Sequence, residues 1–442
     1  MIRVVFLFLF SITATLVFAQ QGFRFDKEST KIKIPFKLIN NLIFVPIKVN
    51  GIELNFLLDT GVSETILFSL EDKKEVRFFN AEKILLKGLG NQTAVEGLKS
   101  TSNILEFDGL KITNHMLYVV LDPEFNLSSH IGIPVNGIIG YQFFRDNLVE
   151  INYAKKCISV YKDIPKNRKR IEKKFSVIPI SIEKSKPYVN SKVTLNDHDI
   201  DVKLLVDIGN SDAVWLFEDR SDLIKVPIKN FSDFLGKGFS GDIEGKRARI
   251  KKFQIANFEF KNLIAAFPDS ISTKHVTMVA DRMGSVGGEI MKRFDVVFDY
   301  QNQQLYLKKN RNYSFVFNYN KSGVDIQHNG LQWVQETVPL ETVPVNSQSN
   351  GIEVYHSRSD FKYKFKLKPV FEISNVRKSS PAALAGLEKG DIIIKINNVS
   401  TIKYSLQTIN SIFRSENDKW ISLEVERNNV ILKFRFELTN IL

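Results

Sequence analysis

The chain has 442 residues, 43% of them hydrophobic and 25% charged, with a formal net charge of +12. That length exceeds a single core and points to two or three domains, and the composition excludes general disorder. The lone cysteine, Cys157, excludes an internal disulfide and any zinc-finger or CxxC chemistry, and the basic residues are too evenly spread to mark a nucleic-acid surface.

At the N-terminus, Met1 and Arg3 precede a mostly apolar stretch from Val4 to Phe18, and Val17 and Ala19 offer small residues at the −3 and −1 positions. This pattern predicts a secretory signal over residues 1–19, cut after Ala19. The alternative, an uncleaved anchor, requires a longer span than this stretch supplies. No later stretch is long and apolar enough to cross a membrane, so a soluble mature chain is expected. Export without disulfides fits a bacterial periplasm or cell envelope, or the extracellular medium.

From Lys31 to about Tyr319, short alternating apolar runs such as Ile43–Val49, Ile104–Phe107 and Phe253–Phe260 are separated by Asn50-Gly51, Asp108-Gly109 and Asn196-Asp197 turns. This is the signature of hairpins and predicts an antiparallel all-β region. Cys157 sits in one such run and reads as a buried small hydrophobe. The densest basic run, Lys166 to Lys174, reads as a solvated linker.

The region contains an internal repeat. Ile47 to Asp59 reads as strand, turn, strand, aspartate, and Val193 to Asp207 reads the same way. Gly140 follows Asp59 by 81 residues and Gly287 follows Asp207 by 80; Tyr153 and Tyr300 follow those glycines by 13 each. Agreement at three landmarks makes the halves two copies of one unit. The expected boundaries are 20–163 for the first lobe, 164–175 for a basic linker, 176–320 for the second lobe and 321–442 for a C-terminal domain.

In each copy an apolar strand delivers an aspartate to a tight turn. A buried ionised carboxylate is costly unless it is paired or hydrogen-bonded. Two of them face to face share a proton and split their pKa values. One then acts as general base on a water while the other protonates the substrate carbonyl, which is peptide hydrolysis without metal or covalent intermediate.

Asp59-Thr60-Gly61, followed by Val62 and Ser63, resembles the D-T-G-A-S-type motif of pepsin-like and retropepsin-like aspartic proteases. Asn136-Gly137-Ile138-Ile139-Gly140 resembles the hydrophobic-hydrophobic-Gly element behind each catalytic loop of that family. The resemblance covers about residues 28–310. It implies an all-β fold of two pepsin-like lobes formed by duplication, with Asp59 and Asp207 on the catalytic water. Thr60, Gly61, Ser63, Gly209, Asn210 and Ser211 are then the supporting loops. It also implies hairpin flaps around residues 88–93 and 236–241, no cofactor or metal, and no need to dimerise for catalysis. The second motif departs from the pattern at Ile208, where the family carries a hydroxyl that joins a reciprocal bracket between the lobes. Its absence is expected to cost about 0.5–1.5 kcal/mol unless Asn210 or Ser211 supplies the bond.

After Tyr319 the pattern changes. Glu341 to Gly351 reads as a connecting loop, Phe361–Leu367 and Val370–Val376 as strands, Ser379 to Gly386 as a short capped helix, and Lys389 to Asn397 as a turn into a buried strand. Leu406, Ile409, Ile412 and Phe413 recur at helical spacing. The run from Ser380-Pro381-Ala382-Ala383 through Gly386-Leu387 and Gly390-Asp391 to Ile396-Asn397 resembles bacterial PDZ domains. That implies a PDZ-like β-sandwich with two short helices, capturing an extended peptide beside a helix whose Leu406, Ile409 and Phe413 wall the groove. The same three residues also fit a plain core helix, and no G-L-G-F loop precedes Phe361.

The leading expectation is therefore an exported aspartic endopeptidase acting on polypeptide substrate, with a PDZ domain that binds peptide or substrate segments. The alternative is a catalytically inactive envelope peptide-binding protein on the same fold. Nucleic-acid binding has the least support. Six histidines form no HExxH, no serine sits in GxSxG, and Gly236-Lys237-Gly238 and Gly287-Gly288 match no phosphate loop. His115 and His275 read as surface or strand residues rather than ligands, and Trp215 as core or pocket wall.

Overall fold

A computed structural model describes residues 22–442 apart from 27, 71–75, 87–94, 123–125, 239–240, 274–277, 340–360 and 416. The expected signal sequence, the first flap tip at 88–93, His275 and the connecting loop at 341–351 lie outside the described residues.

The fold is all-β. In the first lobe the chain runs through β1 (Leu42–Val49), β2 (Ile52–Leu58), β3 (Ile66–Leu67), β4 (Glu82–Leu86), β5 (Val95–Phe107) and β6 (Leu110–Val120). It then makes a single helical turn α1 (Ser128–Ile131) and continues into β7 (Gly137–Ile139) and β8 (Leu148–Asn152). The second lobe repeats the strands in order. These are β9 (Lys186–Leu195), β10 (His198–Val206), β11 (Val214–Leu216), β12 (Asn230–Gly238), β13 (Gly241–Ile255), β14 (Phe258–Pro268), β15 (Arg282–Val286) and β16 (Phe294–Asp299).

The duplication is visible strand by strand. β7 lies parallel to β2 and antiparallel to β3, and β15 lies parallel to β10 and antiparallel to β11. β3 runs parallel to β6 and β11 parallel to β14. The Asn50-Gly51 turn takes positive φ at both residues, as the two-residue hairpin demands, and so does Asn196-Asp197. The lobes are stitched together by a six-stranded sheet in which β8 pairs antiparallel with β16, Val149 opposite Phe298 and Ile151 opposite Val296. One continuous apolar core fills both lobes.

Between the lobes the basic run forms a helix, α2 (Pro165–Glu172), with proline in its first turn. It is more than a solvated linker. Arg168 binds Asp163 at 2.6 Å and the buried Asp299 at 2.7 Å, and Ile171 is buried. Cys157 opens a strand of the inter-lobe sheet, half-buried rather than enclosed.

The C-terminal domain has a core of its own. A long hairpin of β17 (Val324–Pro339) and β18 (Phe361–Val376) leads into α3 (Pro381–Ala385), β19 (Ile392–Ile396), α4 (Leu406–Phe413), β20 (Lys419–Arg427) and β21 (Val430–Leu438). The two strands expected at 361–367 and 370–376 are one, because the partner strand β17 bulges between His328 and Leu331, opposite Phe371 and Pro369, and the pairing carries on past it. Ser380 caps α3 through Ala383 N–H, and Ser405 caps α4 through Thr408 N–H.

Candidate active site

β2 and β10 end side by side at the junction of the lobes. β2 delivers Asp59 and β10 delivers Asp207. The Asp59 amide donates to Ile139 at 2.9 Å and the Asp207 amide to Val286 at 2.9 Å, so each aspartate is anchored by the parallel strand of its own lobe. The Gly61 amide donates to Asp59 Oδ1 at 2.6 Å and the Gly209 amide to Asp207 Oδ1 at 3.1 Å. The two carboxyl groups are hydrogen-bonded to each other. A Cβ added to Gly209 would sit within 2.1 Å of the Asp59 carboxyl carbon, so only glycine lets the loops approach this closely. Asp59, Gly61, Asp207 and Gly209 all keep partial solvent contact, whereas Thr60 and Ile208 have none.

The distal glycines act from behind. A Cβ on Gly140 would meet the Val62 carbonyl at 2.1 Å and the Asp59 carbonyl at 2.4 Å. Gly287 is pressed against Asp212 and Asn210 carbonyls in the same way. This is the physical reason for the 81- and 80-residue spacings: each glycine is the floor under its aspartate loop.

Ile208 changes the bracing without abolishing it. Thr60 Oγ1 reaches across the lobe boundary, donates to the Val206 carbonyl at 2.6 Å and accepts from the Ile208 amide at 3.0 Å. Ile208 returns no hydroxyl; its side chain is fully buried in the shared core. Asn210 does not replace the missing bond, because it stays within its own lobe, donating to Ser285 Oγ at 3.2 Å and accepting from Asp212 N–H at 2.9 Å. Further cross-lobe bonds come from a second pair of contacts. Ser63 Oγ donates to the Lys184 carbonyl at 3.1 Å, and Asn41 Nδ2 donates to the Ser211 carbonyl at 2.8 Å. Each lobe thus sends a two-residue turn, Asn40-Asn41 or Lys184-Ser185, onto the other lobe's aspartate loop, and both turns hold positive φ.

Electrostatics sets the two carboxyls apart. Burial raises the pKa of Asp59 well above the carboxylate range, and the charge of Asp207 raises it further. Burial also raises Asp207, but Arg282, the hydrogen bond from Asp59 and Lys186 pull it back down. Both carboxyls are thus raised, Asp59 the further, the asymmetry a shared proton between two close carboxyls requires. Arg282, at the start of β15, is buried over the Phe217 ring at 5.2 Å. Neither cation was legible as part of a site in the sequence, because nothing in its spacing links Lys186 or Arg282 to the aspartates.

A further charged chain leads away from the second loop. Asp212 accepts from Trp215 Nε1 at 2.7 Å and pairs with Arg247 at 2.7 Å; Arg247 also binds Asp233 at 2.6 Å. Trp215 is thus core with a bonded edge. His115 is fully buried on β6, its Nε2 2.7 Å from Thr65 Oγ1.

In the C-terminal domain, Leu406, Ile409 and Phe413, expected beside the peptide groove, lie on the inward face of α4, and Leu406 also meets Gly132 of the first lobe. All three are buried in the domain core, because α4 turns that apolar face inward and leaves Thr408 and Ser411 in solvent.

Residues 45–143 match the family model described as aspartyl protease, and residues 372–427 match the one described as PDZ domain. Both agree with the architecture implied by the motifs: an aspartyl protease domain, then a C-terminal PDZ domain. The first match covers the Asp59 copy of the repeat, and the strand-by-strand duplication extends the likeness to the Asp207 copy. No curated protein matches the chain.

Proposed function

We propose that the protein is an exported aspartic endopeptidase in which Asp59 and Asp207 share one proton and activate a water against a peptide carbonyl. The observation that carries this is the hydrogen bond between the two carboxyls, held by symmetric loops at partly solvent-accessible positions. Ionised Asp207 takes the proton of the attacking water, and Asp59 gives its own to the carbonyl oxygen. As the C–N bond of the resulting gem-diol breaks, Asp207 passes its proton to the leaving amine and Asp59 takes one back from a gem-diol hydroxyl, which restores the singly protonated pair. Thr60, Gly61, Ser63, Gly209, Asn210 and Ser211 hold the loops; the chemistry uses no cofactor. Both aspartates belong to one chain, so catalysis does not depend on a dimer. The PDZ domain binds peptide or substrate segments. The N-terminal apolar stretch supports export to a periplasm or envelope, and among the described residues no helix is long and apolar enough to cross a membrane.

The test is cleavage of an unfolded protein by the purified mature chain. Turnover unaffected by EDTA, and blocked by a peptide carrying a hydroxyl-bearing tetrahedral carbon in place of the scissile carbonyl, is the expected result. No turnover, with retained binding of that peptide, would make the protein a peptide-binding relic instead.

A further inference from the structure

PDZ domains take an extended peptide as an added strand along a sheet edge, beside a helix. Here the edge strand is β17, which pairs with β18 alone among the described strands, and α4 packs beside it. That place is already taken. α1 of the first lobe packs against β17, and its end meets the first turn of α4. Gln407 Nε2 donates to the Ile131 carbonyl at 2.8 Å. Gly132, at φ +79°, closes α1 against Leu406, where an added Cβ would lie 3.1 Å from the Leu406 Cβ.

The segment is preformed for this role. The Gly132 amide bonds the Ser128 carbonyl at 2.8 Å, the Ser128 amide bonds Asn126 Oδ1 at 2.8 Å, and the Val135 amide bonds Ser128 Oγ at 2.9 Å. A second contact seats the domain on the other lobe. Arg377 lies 3.5 Å from Asp233, covers the Phe231 ring at 4.1 Å, and donates to the Asn320 carbonyl at 3.1 Å in the turn that leads into β17. Asp233 is the same carboxylate that Arg247 links to Asp212.

The geometry points to a peptide groove occupied in cis: lobe-one segment 127–133 fills the place between β17 and α4, and an external peptide binds the PDZ domain by displacing it. A tethered segment competes at an effective concentration of the order of millimolar, so it raises the apparent Kd for any free peptide by the inverse of the fraction of molecules in which it is undocked. The PDZ domain then serves at rest as a clamp across both lobes.

This goes beyond the protease reading and is measured by binding, so a chain with no turnover still tests it. The probe is a fluorescein-labelled peptide of sequence Leu-Ser-Ser-His-Ile-Gly-Ile, the segment itself, titrated by anisotropy into full mature chain. Gly132→Leu, and separately a chain with residues 127–133 replaced by glycine and serine, are expected to bind it at least tenfold more tightly than the unaltered chain. The unaltered chain supplies a check without any substitution: saturating peptide is expected to speed hydrogen exchange at the Ile131 and Gly132 amides. Equal affinity in all three chains, or unchanged exchange at those amides under saturating peptide, overturns the proposal.

Discussion

Thr60 bonds both the Val206 carbonyl and the Ile208 amide of the opposite lobe, at 2.6 and 3.0 Å, and receives no hydroxyl in return. Half of a symmetric bracket therefore carries the junction of the two aspartate loops. Thr60→Val keeps the shape but strands a buried donor and acceptor, which is expected to cost about 2 kcal/mol. Ile208→Thr is expected to lower stability as well, by about 1–2 kcal/mol, because position 208 lies in apolar core rather than at a vacant hydrogen bond. Urea unfolding of both variants checks this. A stabilised Ile208→Thr chain would mean that the second loop does lack a partner.

Gly140→Ala is expected to disrupt the first loop. The new Cβ would meet two backbone carbonyls, Val62 and Asp59, at 2.1 and 2.4 Å, and neither is a flexible side chain that swings away. Cleavage is expected to fall at least a hundredfold, with unfolding easier by more than 2 kcal/mol. Wild-type turnover in this variant would show that the glycine is not the floor under Asp59.

Arg247 lies between the carboxylates of Asp212 and Asp233, with all three side chains largely buried. Arg247→Leu leaves the Asp212 carboxylate without its cation and Asp233 with only Arg377, at 3.5 Å, an expected loss of about 3 kcal/mol. Adding Asp212→Asn and Asp233→Asn to the same chain is expected to recover most of it. If the triple variant is no more stable than Arg247→Leu, the cost arises from packing rather than charge.

His115 sets an acid limit. Burial holds its pKa at about 4, against an ordinary value of 6.5. The folded chain thus binds fewer protons than the unfolded one, so this contribution is complete above pH 6.5 and is lost as pH falls toward 4. The loss is about 3 kcal/mol in all. Urea midpoints measured from pH 7 to 4 are expected to fall, and His115→Gln is expected to flatten that fall. The same slope in both chains would remove His115 as its cause.

The two-copy plan was legible because β-hairpins announce themselves locally: Asn50-Gly51 fixes a turn whatever lies elsewhere in the chain. The aspartates were legible for the same reason, since each ends an apolar run at a Gly turn. The cross-lobe contacts were not. Asn41 reaches Ser211 over 170 residues of sequence, and the charge of Lys186 acts on both aspartates only once the fold has formed. In α4 the helical period was legible, but periodicity marks an apolar face without telling what covers it, so Leu406, Ile409 and Phe413 read equally as groove or core. The departure at Ile208 was visible as a missing hydroxyl; its replacement by turns from the opposite lobe needed the fold.

The most direct measurement is turnover of an unfolded protein by Asp59→Asn and Asp207→Asn, each beside the melting temperature at pH 7. Burial raises the folded pKa of Asp59, so above about pH 4 the folded chain retains a proton that the unfolded chain releases, and that destabilises the fold as pH rises. Both variants are expected to lose at least a thousandfold in turnover, with Asp59→Asn melting higher than the unaltered chain at pH 7. Undiminished cleavage in either variant would contradict the paired aspartates as the catalytic centre.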